Sequence, residues 1–448
     1  MVNEAPAVAQ ICRLGHLFAK PATRLRRSRG HRPPRGSTVK VLYVSSVPSK
    51  HEFARIAERR RPGVQHVTYG MSESGFKFHT LIMEGLVSAG DCDVFSLVGR
   101  SVSRSTYAGG YWRPVTERDR KITTHHVGFL NIPVVKQVQV AIAIFLHTTA
   151  WLWRTRGERP RFILMDASYI TVLPGVLLAS SFTSARSAAI FADIYGYMGA
   201  VQDARDHQPV AHRVIRRFVA RVYKRLHAFV LLTEQMDSVV NPGGKPHLVM
   251  EGLVDVTMRE AVNGLEGKSP LPTVLYAGAL RRQYGLENLV RGFQALERTD
   301  ARLEIYGDGD YAPEIRKAAL QDPRISYGGT LPNDEIVARE MRAWLLINPR
   351  PARQEFTQYS FPSKNMEYMV SGTPVLTTPL PGMPADYYNF VSIIDGDSSD
   401  AVSKALAREL GRGLPDLHAQ GHAAREFVLT RKNNIIQAAR IITALEKS

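Results

Sequence analysis

The 448-residue chain reads as an α/β protein made of two parallel-sheet halves. Three observations lead there. Short apolar runs of strand composition recur along the chain with helical stretches between them, the pattern of βαβ units. That alternation breaks over residues 256–272, where Asn-Gly, Glu-Gly and Ser-Pro-Leu-Pro interrupt it, and then restarts. In the second half glycines stand directly after the strands, at the carboxyl ends where parallel sheets bind ligands.

The boundaries follow from these breaks. Residues 1–37 form a basic arm, 38–255 a first Rossmann-like half, 256–272 a linker, and 273–448 a second half ending in helices over 400–448. A chain of this length is expected to hold two cores. The arm carries eight Lys or Arg against Glu4 alone and lacks the apolar core of a signal peptide. It reads either as a flexible extension or as a membrane- or partner-binding arm. Cys12 and Cys92 offer no disulfide framework, which favours a reducing, cytoplasmic setting. The formal charge of +17 points to phosphorylated substrates, anionic lipid or nucleic acid. Without interleaved aromatics or a reading motif, nucleic acid is not expected as a partner.

In the first half, residues 39–44 (VKVLYV) are a buried strand ending in Ser45 and Ser46. A polar loop follows, and Gly75-Phe-Lys-Phe-His79 opens a helix over 80–87. Residues 93–98, 162–165, 188–191 and 228–232 are further strands. The apolar run 138–153 (VQVAIAIFLHTTAWLW) is interrupted by Gln139 and His147. It is shorter than the roughly 20 residues of a spanning helix, and reads as a buried or interfacial one. Residues 214–226 form an amphipathic helix whose polar face holds Arg216, Arg217, Arg221, Lys224 and Arg225. Such a face is either solvated or laid on anionic lipid.

In the second half the strands are 273–277, 303–306, 325–327, 344–348 and 374–377. Gly278, Gly307-Asp308-Gly309 and Gly328-Gly329 follow the first three. Asn333 is expected to cap a helix over 334–342. Most informative is 355–376 (EFTQYSFPSKNMEYMVSGTPVL): a loop, a helix opening near Pro362 and Ser363, a Ser-Gly-Thr-Pro turn and a buried strand. The N–H groups of such a helix end, with Lys364 beside them, suit a diphosphate. Glu367, one turn further, suits the two hydroxyls of a ribose.

With these pieces in order the chain resembles the GT-B glycosyltransferases, and specifically the GT4 family of retaining, nucleotide-sugar-dependent enzymes. The likeness covers about residues 38–395. It rests on YAGALRRQYGLENLV (276–290), EIYGDGD (304–310), ISYGGTLPNDEI (325–336) and FPSKNMEYMVSGTPVL (361–376), with LLTEQMDSVVNP (231–242) and MEGLVD (250–255) in the first half. The last two are similar to bacterial capsule and exopolysaccharide glycosyltransferases in particular.

The resemblance implies two Rossmann-like domains whose parallel sheets face across a cleft. It also assigns residues. Glu367 matches the second of the family's paired glutamates, the ribose ligand. The first belongs eight positions earlier, where Tyr359 stands; Glu355 takes that role if the loop brings it back. Gly278 with Arg281 and Arg282 matches the loop that grips the donor phosphates. The family's lysine before the following glycine is Tyr284 here, so the positive charge falls to Arg281, Arg282 or Lys364. Ser363 and Lys364 open the donor-binding helix, and Gly307 and Gly329 match points where backbone approaches the base. In the first half Gly75, flanked by Lys77 and His79, matches the glycine loop facing the phosphates. Asp193 stands where many members carry a histidine touching the sugar. Asp193, Glu355, Arg282 and Lys364 are thus the catalytic candidates.

The implied reaction moves a hexose-type sugar from a UDP- or GDP-sugar to an acceptor hydroxyl with retention. Fixed positive charge and helix dipoles stabilise the leaving diphosphate. No convincing DxD-like acidic pair is present, so no metal cofactor is expected. The implied acceptor is a polyprenyl-diphosphate-linked saccharide, met at the inner face of the plasma membrane. Two other outcomes stay open: a GT-B epimerase or hydrolase, and a non-catalytic donor-binding scaffold.

Overall fold

The run KVLYVS forms the strand Lys40–Ser45, and five of its six residues are buried. Burial on both faces is what a parallel strand covered by helices requires. Period-two alternation sends Leu42 and Val44 into one apolar cluster and Val41 and Tyr43 into another, on opposite faces of the sheet. The computed structural model describes residues 38–62, 72–90, 92–194 and 210–448, excepting the side chains of 210–216, 355 and 356. The basic arm, residues 1–37, lies outside the described residues. Thr38–Ser448 form one compact unit.

The first sheet has eight strands, in spatial order His247–Val249, Ala228–Leu231, Arg186–Phe191, Arg161–Asp166, Lys40–Ser45, Asp93–Val98, Ile122–His126 and Val115–Asp119. All neighbours are parallel except the last pair. The sequence marks neither strand of that pair, and the expected parallel sheet carries one antiparallel edge strand. Val115–Asp119 pairs antiparallel with Ile122–His126, because the tight turn at Arg120 (φ 50°) leaves no chain for a crossover. The second sheet is wholly parallel, in the order Ile325–Gly329, Arg302–Tyr306, Thr273–Ala277, Leu345–Asn348, Val375–Thr377 and Ser392–Ile393.

Several helices begin elsewhere than their sequence suggests. The first βα unit carries a helix at Glu73–Gly90 rather than 80–87. The Ser72 hydroxyl accepts from the Gly75 N–H at 3.1 Å, and a serine there with an acid after it starts a helix early. Gly75 is therefore a first-turn helical residue, not a loop glycine. The expected polar loop also holds a helix, Lys50–Glu58, capped by Ser49. Asn333 does not cap; it is the first residue of Asn333–Arg342, behind Pro332.

The sequence groups the last helix, Asn434–Lys447, with the second half. It packs instead against Glu73–Gly90 and places Ala438, Ile441, Ile442 and Leu445 in a core cluster of the first sheet. The approach is close: a Cβ on Gly85 would fall 2.2 Å from the Asn434 carbonyl oxygen. Each such fully buried Ile or Leu contributes about 2 kcal/mol. Among the described residues no helix is long and apolar enough to cross a membrane.

Candidate functional site

The site begins as a floor of backbone at the carboxyl ends of the second sheet. Gly278 follows Thr273–Ala277 with φ +144°, and its N–H donates to the Tyr306 carbonyl at 2.9 Å. Gly307 follows the next strand with φ +131°, and its N–H donates to the Gly329 carbonyl at 2.7 Å. A Cβ on Gly307 would lie 1.8 Å from the Gly278 carbonyl oxygen. These strand ends lock together only because no side chain intervenes. Of the three, only Gly329 has open space where a Cβ would stand.

Over this floor stands the helix Ser363–Ser371. Its inner face is bolted to the sheet. The Tyr368 hydroxyl accepts from the Ala277 N–H at 2.8 Å and donates to the Ala277 carbonyl at 3.1 Å. Asn365, fully buried, accepts from Asn348 at 2.7 Å. The N-terminus itself has no side-chain cap, and Ser363 is exposed there. Lys364 reaches back across Gly278, where an added Cβ would fall 1.7 Å from its Nζ. The ammonium donates to the Tyr276 hydroxyl at 2.8 Å and sits 4.2 Å from that ring's centre. Burial pulls the Lys364 pKa down to about 7, against the carboxylate of Glu367 and with the charge of Arg350.

One turn along, Glu367 meets the first half. Lys77 Nζ donates to Glu367 Oε1 at 2.9 Å, with both side chains about one third exposed. Burial would lower the Lys77 pKa, but the Glu367 charge and hydrogen bond outweigh it and the pKa is raised. Behind them lies Glu340, 3% exposed, whose Oε2 has no hydrogen-bond partner. Burial first, then Glu367, pushes its pKa up to about 8, against Lys77 and Lys364.

The facing wall comes from the carboxyl ends of the first sheet. Asp193 stands two residues past Arg186–Phe191. Burial pushes its pKa up to about 7; Asp166 acts the same way, while the Ile194 N–H and Arg350 oppose. Its Oδ1 is buried without a hydrogen-bond partner. Arg350 belongs to the second half, two residues past Leu345–Asn348. Its guanidinium lies 5.2 Å from the Tyr284 ring centre and donates to Ser360 Oγ at 3.3 Å. Asp166 accepts from the N–H and hydroxyl of Ser168, with His79 Nε2 3.8 Å away. His79 shares a 2.6 Å hydrogen bond with Tyr43, and burial lowers its pKa against the pull of Asp166.

The structure thus brings together Gly278, Gly307, Gly329, Lys364 and Glu367, whereas Gly75 is buried in the first turn of the Lys77 helix, on a different face from Lys77. Arg281 is exposed and makes no ion pair among the described residues. Arg282 is engaged elsewhere: it donates to Glu314 at 2.6 Å, approaches Glu287 at 3.7 Å and stacks on Tyr311. Glu355 opens the short turn Glu355–Tyr359, and its side chain lies outside the described residues. Tyr359 packs against the apolar core of the first half.

Tyr276, Glu340 and Arg350 are not among the residues the sequence singles out. Arg350 carried a signal, since it follows a strand end just as the three glycines do. Glu340 carried none, because it sits in a helix of mostly charged residues that reads as solvated.

Residues 271–411 match the family model described as glycosyl transferases group 1. No curated protein matches the sequence. Solved structures similar to nearly the whole chain include sucrose-phosphate synthase from Thermosynechococcus elongatus, at 14% identity over 91% of this chain and 98% of that one, TM-score 0.62. Anabaena HepE in complex with UDP and glucose is similar at 11% identity over 91% and 100%, TM-score 0.56. The catalytic domain of Arabidopsis thaliana starch synthase IV, bound to ADP and acarbose, follows at 10% over 92% and 100%, TM-score 0.57. The fold is that of the GT-B glycosyltransferases: α/β, with parallel-sheet Rossmann-like domains. Together with the group 1 match, it supports a glycosyltransferase.

Proposed function

We propose that the chain is a retaining glycosyltransferase of the GT4 family. It moves a hexose-type sugar from a nucleoside diphosphate sugar to an acceptor hydroxyl. One observation carries the reading: inside the matched residues, Lys364 lies across Gly278 at an uncapped helix N-terminus, with Glu367 one turn on. In this reading the donor diphosphate rests on the backbone at Gly278 and Gly307, held by the Ser363 helix end, Lys364 and Arg281. Glu367 takes the ribose, and the base lies near Gly329. Arg282 keeps the loop in shape through Glu314, and the Gly75 helix faces the phosphates.

As the glycosidic bond to phosphate breaks, negative charge grows on the diphosphate while the anomeric carbon becomes oxocarbenium-like. A lysine held in a low-dielectric wall stabilises that charge more than one in water. The leaving phosphate oxygen takes the acceptor's proton on the same face, which preserves configuration. Asp193 is assigned to the donor sugar, with Glu355 as a second contact. The linker 256–272 is assigned as the hinge of closure. Similar folds hold UDP with glucose or ADP with acarbose, so UDP-, GDP- and ADP-sugars are all donors to test. The acceptor we assign is a polyprenyl-diphosphate-linked saccharide of a bacterial surface polysaccharide, met at the inner face of the plasma membrane.

The test is thermal stabilisation by that donor panel, repeated with Glu367→Ala, followed by product analysis with and without a saccharide acceptor. Stabilisation by one nucleotide family that the substitution abolishes supports the donor site and names the base. Free or epimerised sugar without acceptor replaces transfer by hydrolysis or epimerisation. Binding without any turnover replaces it by a scaffold. No stabilisation by any donor overturns the reading.

A further inference from the structure

The helix Val135–Arg154 buries one side and leaves another apolar. Val140, Ile144, Trp151 and Leu152 lie in the core beneath the first sheet. Val138, Ile142, Leu146 and Trp153 are 53, 54, 58 and 65% exposed. Spaced four, four and seven apart, they form one stripe. The surface extends beyond the helix. Tyr111 and Leu130 are exposed on the neighbouring two-stranded sheet of Tyr111–Trp112 and Phe129–Leu130, and the adjacent helix Leu173–Ser180 adds Leu178 and, past its end, Phe182 at 87%. Single exposed apolar residues are ordinary; a stripe spanning two packed helices is an interaction surface.

Its charge says what covers it. Residues 135–154 contain no Asp or Glu. Arg154 and Arg156 are exposed where the helix ends, and the Arg156 guanidinium stacks 4.5 Å from the Trp153 ring centre. An arginine over an exposed tryptophan suits the boundary between acyl chains and headgroups, where both occur. The next helix, Val210–Tyr223, touches Leu173–Ser180. It exposes Phe218 beside Arg217 and Arg221, with Lys224 and Arg225 just beyond. A second copy of a chain of charge +17 would set basic face against basic face. A surface that is both apolar and anionic answers all of these features.

We infer that this face docks the protein on an anionic phospholipid bilayer. The helix Val135–Arg154 lies in the interface plane with Val138, Ile142, Leu146 and Trp153 among the acyl chains, and the arginines at the headgroup phosphates. Nothing in this rests on the donor site, so the two proposals fail separately.

The experiment uses the full chain with phosphatidylcholine vesicles, with and without about one third phosphatidylglycerol. Trp112 and Trp151 are buried, and half-buried Trp344 donates to the Ser269 carbonyl in the second half, so the part of a blue shift on vesicle addition that Trp153→Phe removes reports Trp153. Flotation with the mixed vesicles, weakening with salt, is expected together with that shift. Ile142→Ser combined with Leu146→Ser should weaken vesicle binding at least about tenfold, with melting temperature and nucleotide-induced stabilisation unchanged. Trp153→Phe should remove the shift and retain flotation. Equal flotation of the double variant overturns the inference, since binding then lies elsewhere on the chain. Failure of the parent to bind, or equal binding to phosphatidylcholine alone, overturns it as well. So does a dimer by light scattering that the double variant dissolves.

Discussion

The ammonium of Lys77 lies 2.9 Å from the carboxylate of Glu367, an ion pair that joins the helix Glu73–Gly90 of the first half to the helix Ser363–Ser371 of the second. Its acidic member is the residue we assign to the ribose. Lys77 engages one of the two carboxylate oxygens, Oε1, so on the proposed assignment a ribose that takes both oxygens competes with the lysine.

Two opposite effects are expected from this competition. Glu367→Ala removes charge-assisted hydrogen bonds and should weaken donor binding about 10- to 100-fold. Lys77→Met frees the carboxylate. A partly exposed pair is worth at most about 1 kcal/mol, so a nucleoside without phosphates should bind the variant up to about fivefold tighter. Calorimetric titration checks both, and half-molar salt should reduce the difference between Lys77→Met and the parent.

On the proposed donor site, Lys364 should make donor binding a proton-uptake reaction. With its pKa near 7 in the free protein, a diphosphate that prefers the ammonium raises it on binding. Affinity should be flat below pH 7 and fall by about tenfold per unit above it until the complex's own pKa is reached. Titrations at pH 8 in buffers of different ionisation heat should show uptake approaching one proton, and Lys364→Met should lose it. The same shift acts on stability. Between pH 7 and 10.5 the unfolded chain binds the extra proton, so the cost of burying this group is relieved as pH rises through that window.

Asp193→Asn should separate activity from stability. Because the folded pKa is raised from 3.8 to about 7, the parent carboxyl contributes fully below pH 3.8 and loses that contribution as pH rises through 7. The asparagine variant should therefore match the parent's melting temperature near pH 4 and exceed it at pH 8, by the equivalent of about 1–3 kcal/mol. Turnover should fall on the order of a hundredfold. A variant less stable than the parent at pH 8 would mean that the carboxylate is well solvated.

The three floor glycines should rank by what their new methyl group meets. Gly307→Ala strikes the fixed Gly278 carbonyl oxygen at 1.8 Å and should be the most destabilising, by about 3 kcal/mol or more. Gly278→Ala meets only the movable end of Lys364. It should cost about 1–2 kcal/mol for its backbone and also abolish the proton uptake at pH 8. Gly329→Ala, with nothing within 4 Å, should cost about 1 kcal/mol from its φ of +67°. Chemical denaturation of the three variants tests the order.

Much of this was legible in the chain. Alternating apolar runs marked the strands, because a parallel strand buries both faces and must be apolar throughout. Glycines after residues 277, 306 and 327 marked the carboxyl ends of the strands, where a side chain on Gly307 would strike the Gly278 carbonyl. Lys364 and Glu367 were legible because both belong to one short helix, where spacing along the chain is spacing in space.

What only the tertiary structure decided were relationships between residues far apart in sequence. Lys77 meets Glu367 across 290 positions, and Asp193 faces an arginine from the other half. The last helix returns to cover the first sheet. Glu340, a charged residue in a polar helix, is buried behind Glu367. Local pattern records which face of an element is apolar, but not which distant element will cover it. The pKa values of Lys364, Asp193 and Glu340 depend on that covering, because desolvation is a property of everything packed around a group and not of its neighbours in the chain.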